Sequence, residues 1–194
     1  MYATWIKRCI DLAATGCLLV LFSWLFLVII TLYVITFQFP IFFLQQRIGK
    51  DKRAFQIIKF RTLKKAGPSL QARKFPLGNF VRFFSFDELP QLINVLVGNM
   101  SLIGPRPLPV NYLPLFSKEQ NKRHSLLPGI TGWAQVNGRH AISWQEKFQL
   151  DNYYVDHLSF SLDMKILIKT ITLILSFKKD VSLDEKEFTG NIHE

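Results

Sequence analysis

The sequence predicts an α+β fold: a small, helix-rich domain with one β-hairpin, joined to a membrane by a re-entrant N-terminal helix. Three observations lead to this prediction. The only charged residue between Cys9 and Gln46 is Asp11, two β-prone segments flank a polar turn, and apolar residues recur at helical spacing from Leu89 to Leu96. A length of 194 residues corresponds to one domain, with or without an anchor.

The N-terminal apolar segment, residues 1–38, is predicted to be embedded in the membrane. A helix over Trp5–Thr36 would be about 48 Å long, whereas the hydrocarbon core of a bilayer is about 30 Å thick. Basic residues flank the segment at both ends, although positive charge is expected mainly on the cytoplasmic side. Both observations favour a re-entrant helix that is broken near its middle, at Ser23. The alternative is a single tilted span.

Two β-prone segments follow, Phe39–Leu44 and Ala54–Leu63, and the polar turn Arg47–Arg53 between them predicts a β-hairpin. Lys59 and Arg61 lie on one face of the second strand because side chains alternate along a strand. In one interpretation, these charges have a structural role: they prevent aggregation at the edge of the sheet. A second interpretation places Lys59 in a binding site, and the residues alone leave both open.

Adjacent carboxylates, Asp87 and Glu88, stand just before the helical pattern. One interpretation is structural: Ser85 and Glu88 have the spacing of a capping box, or Asp87 is the N-cap with Pro90 in the first turn. The other is functional, because a helix N-terminus attracts phosphate and a carboxylate there lies close to it. Neighbouring helical residues point about 100° apart, so the two carboxylates are expected to have separate roles.

Arg106 lies between Pro105 and Pro107, which fix its backbone. Its planar guanidinium suits a phosphate group. The alternatives are a solvated arginine on a surface turn, or a polyproline II ligand, Arg106–Pro109, for a recognition domain. The flanking residues are apolar rather than proline-rich, which disfavours the last alternative.

The C-terminal part is predicted to contain a loop, two helices and a tail. Pro128–Gly138 is rich in Gly, Thr and Asn, and is expected to form a tight loop whose glycines take positive φ. Trp144–Tyr154 has the pattern of an amphipathic helix. Leu158–Phe177 is apolar but contains an aspartate and two lysines, which favours an interfacial helix over a second span. Residues 39–184 then form the main domain, and residues 185–194 a mobile tail.

Composition restricts the partners. The net charge is +10, and 49% of the residues are hydrophobic. Such a chain suits an anionic membrane surface or a phosphorylated ligand. The sequence has no zinc-ligand spacing, RNA-binding motif or helix-turn-helix pattern, so no nucleic acid is expected. His124 and His140 are not spaced as metal ligands and are expected to be structural. Cys9 and Cys17 lie two helical turns apart, too far for a disulfide.

Three motifs resemble those of a known family. Residues 87–107, DELPQLINVLVGNMSLIGPRP, are similar to the signature of the bacterial sugar transferases, and KFRT at 59–62 and PGITGWAQVNGR at 128–139 are similar to two further family motifs. The resemblance extends over roughly residues 7–184. The chain departs from it at three positions, where family members usually have proline, an acid and arginine: Trp24, Asn99 and Leu127.

The resemblance implies a monotopic phosphoglycosyl transferase on the cytoplasmic face of the bacterial inner membrane. Such an enzyme loads a sugar 1-phosphate from a UDP-sugar onto undecaprenyl phosphate and releases UMP, as the first membrane step of glycan assembly. The alternative is a non-catalytic membrane adaptor that binds partners through Arg106–Pro109 or its basic surface. The sugar, the glycan pathway and the oligomeric state are not predicted.

The resemblance also implies roles for individual residues. Asp87 would attack the β-phosphorus and form a phospho-aspartyl intermediate, with Glu88 as the second catalytic residue. Mg²⁺ would be bound to Asp87 and would offset the negative charge of the phosphates. The residues expected to bind substrate are Lys59, Arg82, Arg106, Gln135, Asn137 and Arg139.

Overall fold

The N-terminal helix is long and continuous. The computed structural model of the chain describes residues 2–138, 142–176 and 187–190. A π-helical turn, Tyr2–Ile6, runs into α1, Lys7–Ile35. Within the part of the chain that the structure describes, α1 is the one helix long and apolar enough to cross a membrane by length and composition.

Ser23 does not interrupt this helix. It lies inside α1, and its hydroxyl donates to the Val20 carbonyl at 2.8 Å. The predicted break at Ser23 is therefore wrong. Trp24 has the backbone N–H that a proline would lack, so the helical hydrogen bonds can continue through this point. The re-entrant path through a membrane stays a prediction.

The predicted β-hairpin is confirmed. Strands β1, Phe42–Ile48, and β2, Ala54–Phe60, pair antiparallel, and a 3₁₀ turn over Lys50–Lys52 joins them. β1 extends four residues beyond its predicted end because Ile48 is buried, and its amide donates to the Leu108 carbonyl at 2.9 Å.

Short helices lead to the acidic turn. α2, Leu70–Arg73, and α3, Pro76–Phe83, precede a 3₁₀ turn over Phe86–Glu88, and α4, Gln91–Val97, follows it. Ser85 begins the turn at a φ of +58° without a side-chain cap hydrogen bond, and Pro90 occupies the N-cap of α4. The capping box at Ser85 and the N-cap at Asp87 are therefore not formed.

The glycine-rich segment forms regular structure rather than a loop. β4, Gly129–Thr131, pairs parallel with β3, Ser101–Ile103, and α5, Trp133–Asn137, follows. A Cβ atom on Gly129 would lie 2.1 Å from the backbone nitrogen of Gly104. Glycine is thus required here by the close approach of two backbones. Positive φ is found at other glycines of the described chain, such as Gly98.

Two longer helices complete the domain. α6, Trp144–Asp156, begins with a capping box between Ser143 and Glu146, and α7, Phe160–Leu175, follows. Both predicted helices are confirmed. Two 3₁₀ segments, Val110–Leu115 and Gln120–Ser125, lie between β3 and β4.

Residues 187–190 of the predicted C-terminal tail take part in the core. Phe188 is 5% exposed, and its ring packs against four aromatic rings of the main domain: Tyr112, Phe116, Trp144 and Phe148. Its amide also donates to the Tyr112 hydroxyl at 3.3 Å. Residues 187–190 therefore belong to the packed domain, and the prediction of a tail that is mobile from residue 185 onward is wrong for them. An aromatic ring in a polar segment supplies enough apolar area to dock it.

Candidate active site

Three predicted site residues meet through their charges. Glu88, in the 3₁₀ turn before α4, accepts a hydrogen bond from Lys59 Nζ of β2 at 2.6 Å. Arg106 Nη2 lies 3.6 Å from the same oxygen of Glu88. The hairpin, the acidic turn and the Pro-Arg-Pro turn thus converge on one point. Asp87 precedes Glu88 in the turn and is itself 8% exposed.

A small pocket opens beside these three residues. Three of its lining side chains are cationic and one is a carboxylate. An excess of positive charge in a concave site favours an anionic ligand. The lining residues are Arg47, Ile57, Lys59, Glu88, Gln91, Arg106, Pro107, Gly129 and Ile130.

The turn that carries Arg106 is held on both sides. The Pro105 carbonyl accepts from the Gly129 amide at 3.0 Å, which ties the turn to β4. The Arg106 carbonyl accepts from Arg123 Nη2 at 2.7 Å. Arg123 in turn pairs with Asp151 of α6 at 2.6 Å, and both side chains are buried. Burial raises the pKa of Asp151, and Arg123 opposes that effect. The backbone of Arg106 is therefore fixed before any ligand binds.

Arg47 is a pocket residue that the sequence analysis missed. Its Nη2 donates to Gln45 Oε1 at 2.6 Å, and its Nη1 lies 3.4 Å from the Pro107 carbonyl. Burial, followed by the nearby charge of Arg106, lowers its pKa to about 10, so it remains protonated at neutral pH. The alternation of β1 could have revealed it, but the predicted strand ended at Leu44 and left Arg47 in the turn.

Three other predicted substrate-binding residues do not line this pocket. Arg82 Nε donates to Thr62 Oγ1 at 3.1 Å. Gln135 Nε2 donates to the carbonyl of the pocket residue Ile130 at 2.9 Å. Asn137 is directed to α7, where its Oδ1 accepts from Lys169 Nζ at 2.6 Å. Arg139 lies outside the described residues, as does His140.

The acidic turn suits a metal ion that is bound jointly by the protein and a substrate phosphate. Among residues 2–138, 142–176 and 187–190, no group of three or more His, Cys, Asp or Glu side chains is placed to hold a metal. Mg²⁺ commonly takes one or two carboxylates from a protein and completes its shell with substrate phosphates and water. Asp87 supplies one such carboxylate, so the turn fits the expected ion only in the presence of substrate.

Comparisons with known proteins place nearly the whole chain in one group. A family model described as bacterial sugar transferase matches residues 2–177. The uncharacterized sugar transferase EpsL of Bacillus subtilis (strain 168) is 43% identical over an alignment of 195 positions, gaps included, which covers 96% of each chain.

Two further relatives carry names that state a reaction. The UDP-N-acetylgalactosamine-undecaprenyl-phosphate N-acetylgalactosaminephosphotransferase of Aeromonas hydrophila is 38% identical over 88% of this chain. The UDP-glucose:undecaprenyl-phosphate glucose-1-phosphate transferase of Xanthomonas campestris pv. campestris is 37% identical over 72% of it. These two relatives are longer proteins, and the matched regions cover only 44% and 32% of their lengths, respectively.

Proposed function

The chain belongs to the bacterial sugar transferase family, and we propose that it transfers a sugar 1-phosphate from a UDP-sugar to undecaprenyl phosphate and releases UMP. Two relatives are named as undecaprenyl-phosphate transferases of N-acetylgalactosamine phosphate and of glucose 1-phosphate. The observation that carries the proposal is the pocket in which Lys59, Glu88 and Arg106 converge. Asp87 precedes Glu88 in the same turn, although its side chain is not among the residues that line the pocket. Its surplus of cations suits the diphosphate of a UDP-sugar.

The reaction proceeds in two displacements. A carboxylate oxygen of Asp87 attacks the β-phosphorus, the bond from that phosphorus to the bridging oxygen breaks, and UMP leaves with the electron pair. A sugar-phosphoryl-aspartate remains on the enzyme. An oxygen of undecaprenyl phosphate then attacks the same phosphorus and releases the Asp87 carboxylate. Two steps of this kind replace one direct reaction between two anionic substrates.

The neighbouring side chains bind and orient the phosphates. Lys59 and Arg106 donate to phosphate oxygens, and Glu88 holds both cations at the pocket. Mg²⁺, held by Asp87 together with the substrate phosphates, would offset negative charge during the transfer. Because the Arg106 backbone is already fixed, little ordering is left to occur when the donor binds.

The apolar surface of the domain supports a location at a membrane. The exposed side of α1 is apolar, and so is that of α7, where Phe160, Ile168 and Ile171 are at least half exposed. Helices of this kind lie in or on a bilayer. We place the domain on the cytoplasmic face of the bacterial inner membrane, where a lipid-linked phosphate and a soluble UDP-sugar can both reach the pocket.

A covalent-labelling experiment tests the proposal. The purified full chain is incubated with Mg²⁺ and a panel of UDP-sugars labelled in the sugar phosphate, without a lipid acceptor. With the correct donor we expect label on the protein and one UMP released per active site. Asp87→Asn should lower both by more than about a thousandfold. Glu88→Gln should slow the reaction yet still permit labelling.

Asp156→Asn is the matched control, since Asp156 is an exposed acid that pairs with Lys122 on the surface. It should label at the wild-type rate. Normal labelling of Asp87→Asn, or UMP release only after lipid is added, would replace the two-step reaction by direct attack of the lipid phosphate. A wild-type protein that releases no UMP from any donor, even with undecaprenyl phosphate present, would favour the adaptor.

A further inference from the structure

Two pocket residues hold hydrogen-bond donors that the described protein atoms do not use. Gln91 is the first residue of α4 and is 2% exposed, and its Nε2 is buried without a partner in residues 2–138, 142–176 and 187–190. Arg47 Nε is buried and lacks a partner within the same described ranges. Both residues line the pocket together with Lys59, Glu88 and Arg106. Buried polar groups are nearly always satisfied in native proteins, and a ligand is one of the partners that can satisfy them.

The fold leaves Arg47 little freedom to turn elsewhere. β1 pairs with β2 along its full length, and Arg47 also forms a bridge to Pro109 on its other side. Its Nη2 is anchored on Gln45 at 2.6 Å. The guanidinium is therefore fixed by its terminal nitrogens and keeps the Nε donor available. Gln91 is the first residue of α4, which begins shortly after the acidic turn, and its side chain is buried.

The charge of the pocket restricts the chemical class of the ligand. Arg47, Lys59 and Arg106 contribute three positive charges and Glu88 one negative charge to its lining, which leaves a surplus of two. An anion with about two negative charges offsets that surplus, and a diphosphate meets this requirement. A neutral amide donor from Gln91 adds a directed hydrogen bond without adding to the repulsion among the three cations.

We propose that Gln91 and Arg47 are substrate-binding residues, which donate from Nε2 and Nε to oxygens of the donor's diphosphate. This inference rests on the proposed function and adds two residues to its site. Arg47 supplies charge and a directed donor from the hairpin, whereas Gln91 supplies a donor from α4. Together with Lys59 and Arg106 they contact the diphosphate from three segments of the chain: the hairpin, α4 and the Pro-Arg-Pro turn.

Binding of inorganic pyrophosphate and of UDP tests this assignment without any turnover. Each probe is titrated calorimetrically into the detergent-solubilised full chain. Gln91→Glu keeps the shape but replaces the donor with a negative oxygen, and should weaken pyrophosphate binding by roughly tenfold to a hundredfold. Arg47→Lys keeps the charge but removes the planar donor, and should weaken binding by about tenfold.

Two exposed residues of the hairpin give matched controls. Gln46→Glu makes the same charge change on the outer side of β1, and Arg53→Lys makes the same exchange in the turn. Both should bind pyrophosphate within about twofold of wild type, because exposed charges at a distance are screened. Melting temperatures are compared for all variants. If Gln91→Glu does not fold, Gln91→Met, which has similar volume and no donor, replaces it.

The outcomes separate this inference from the proposed function. Wild-type affinity for pyrophosphate in both Gln91→Glu and Arg47→Lys would overturn the inference, even if the wild-type protein releases UMP from a UDP-sugar. Weakened binding in both variants, with unchanged controls and melting temperatures, would support it. If that pattern appears while the wild type releases no UMP from any donor, the anion site stands and the proposed transferase reaction fails.

Discussion

At the scale of single residues, the two neighbouring carboxylates of the turn have different surroundings. Glu88 accepts from Lys59 and lies near Arg106, and its side chain remains partly exposed. Removing its charge would leave two cations facing each other across the pocket, so its main effect is expected on substrate binding. Asp87 is more deeply buried and is the residue to which the nucleophilic role is assigned. The turn therefore separates the two roles.

His124 gives a pH-dependent prediction at the same scale. It is buried against Phe116, and burial, followed by the charges of Arg123 and Lys52, lowers its pKa to about 3. In the unfolded chain its pKa is about 6.5. Between these values the unfolded chain binds the additional proton, so the free energy of unfolding falls as the pH falls, by up to about 1.4 kcal/mol per pH unit.

His124→Phe should reduce this slope between pH 6.5 and 4.5, measured by chemical unfolding of the detergent-solubilised protein. The new ring can still pack against Phe116. His157→Phe, at the exposed C-cap position just after α6, is the control and should leave the slope as in wild type. An equal slope in wild type and His124→Phe would assign the acid sensitivity to other groups.

At the scale of elements, the parallel pair β3–β4 connects the fold to the pocket. Gly129 belongs to β4, lines the pocket and holds the Pro105 carbonyl. The close approach of Gly129 and Gly104 therefore determines where the turn with Arg106 lies.

Gly129→Ala should destabilise the protein by about 1–3 kcal/mol, because its Cβ would meet backbone atoms that cannot rotate away. Such a loss lowers the melting temperature by roughly 2–4 °C per kcal/mol in a chain of this size. Gly16→Ala on α1 is the control, since nothing lies within 4 Å of its added Cβ, and alanine is favoured in a helix interior by about 0.5–1 kcal/mol. A wild-type melting temperature for Gly129→Ala would contradict the close approach.

The elements differ in how far the sequence could predict them. The hairpin depends on local alternation and on a polar turn, and both are readable from neighbouring residues. The pairing of β4 with β3 depends on Gly104, some 25 residues away, and a short glycine-rich segment has the same composition as a loop.

The site shows the same division. The motifs predict Lys59, Glu88 and Arg106 as site residues, but their convergence depends on the fold. The burial of Asp87 and of Gln91 also depends on the fold and has no signature in the sequence.

At the scale of the whole molecule, both ends of α1 contact the same domain. Near its start, Arg8 donates to the Leu96 carbonyl at 3.2 Å, and near its end, Tyr33 donates to the Arg61 carbonyl at 2.5 Å. These two residues are about 38 Å apart along an α-helix, more than the thickness of a hydrocarbon core. A domain on one side of a bilayer can contact both Arg8 and Tyr33 only if the two ends of α1 lie on that same side.

Cysteine labelling in intact cells tests this topology. Cys9 and Cys17, which are free and exposed, are first replaced by serine, and single cysteines are then introduced at position 3 or 50. Both positions should be protected from a membrane-impermeant maleimide and should react only after permeabilisation. The reaction after permeabilisation is the control for accessibility. Labelling of either position from outside would establish a spanning helix.

The contacts of the first helix also determine which fragments of this protein can be prepared. Lys7 supplies the cation for the buried Asp163 at 2.8 Å, and Tyr33 packs against Phe60 and Phe75. A shortened chain that begins after residue 36 would leave a buried acid without its cation and would open an aromatic surface to water. Deleting the apolar N-terminal helix to obtain a water-soluble enzyme would therefore yield a fragment that aggregates. Inhibitor screening thus has to use the intact chain in detergent or nanodiscs.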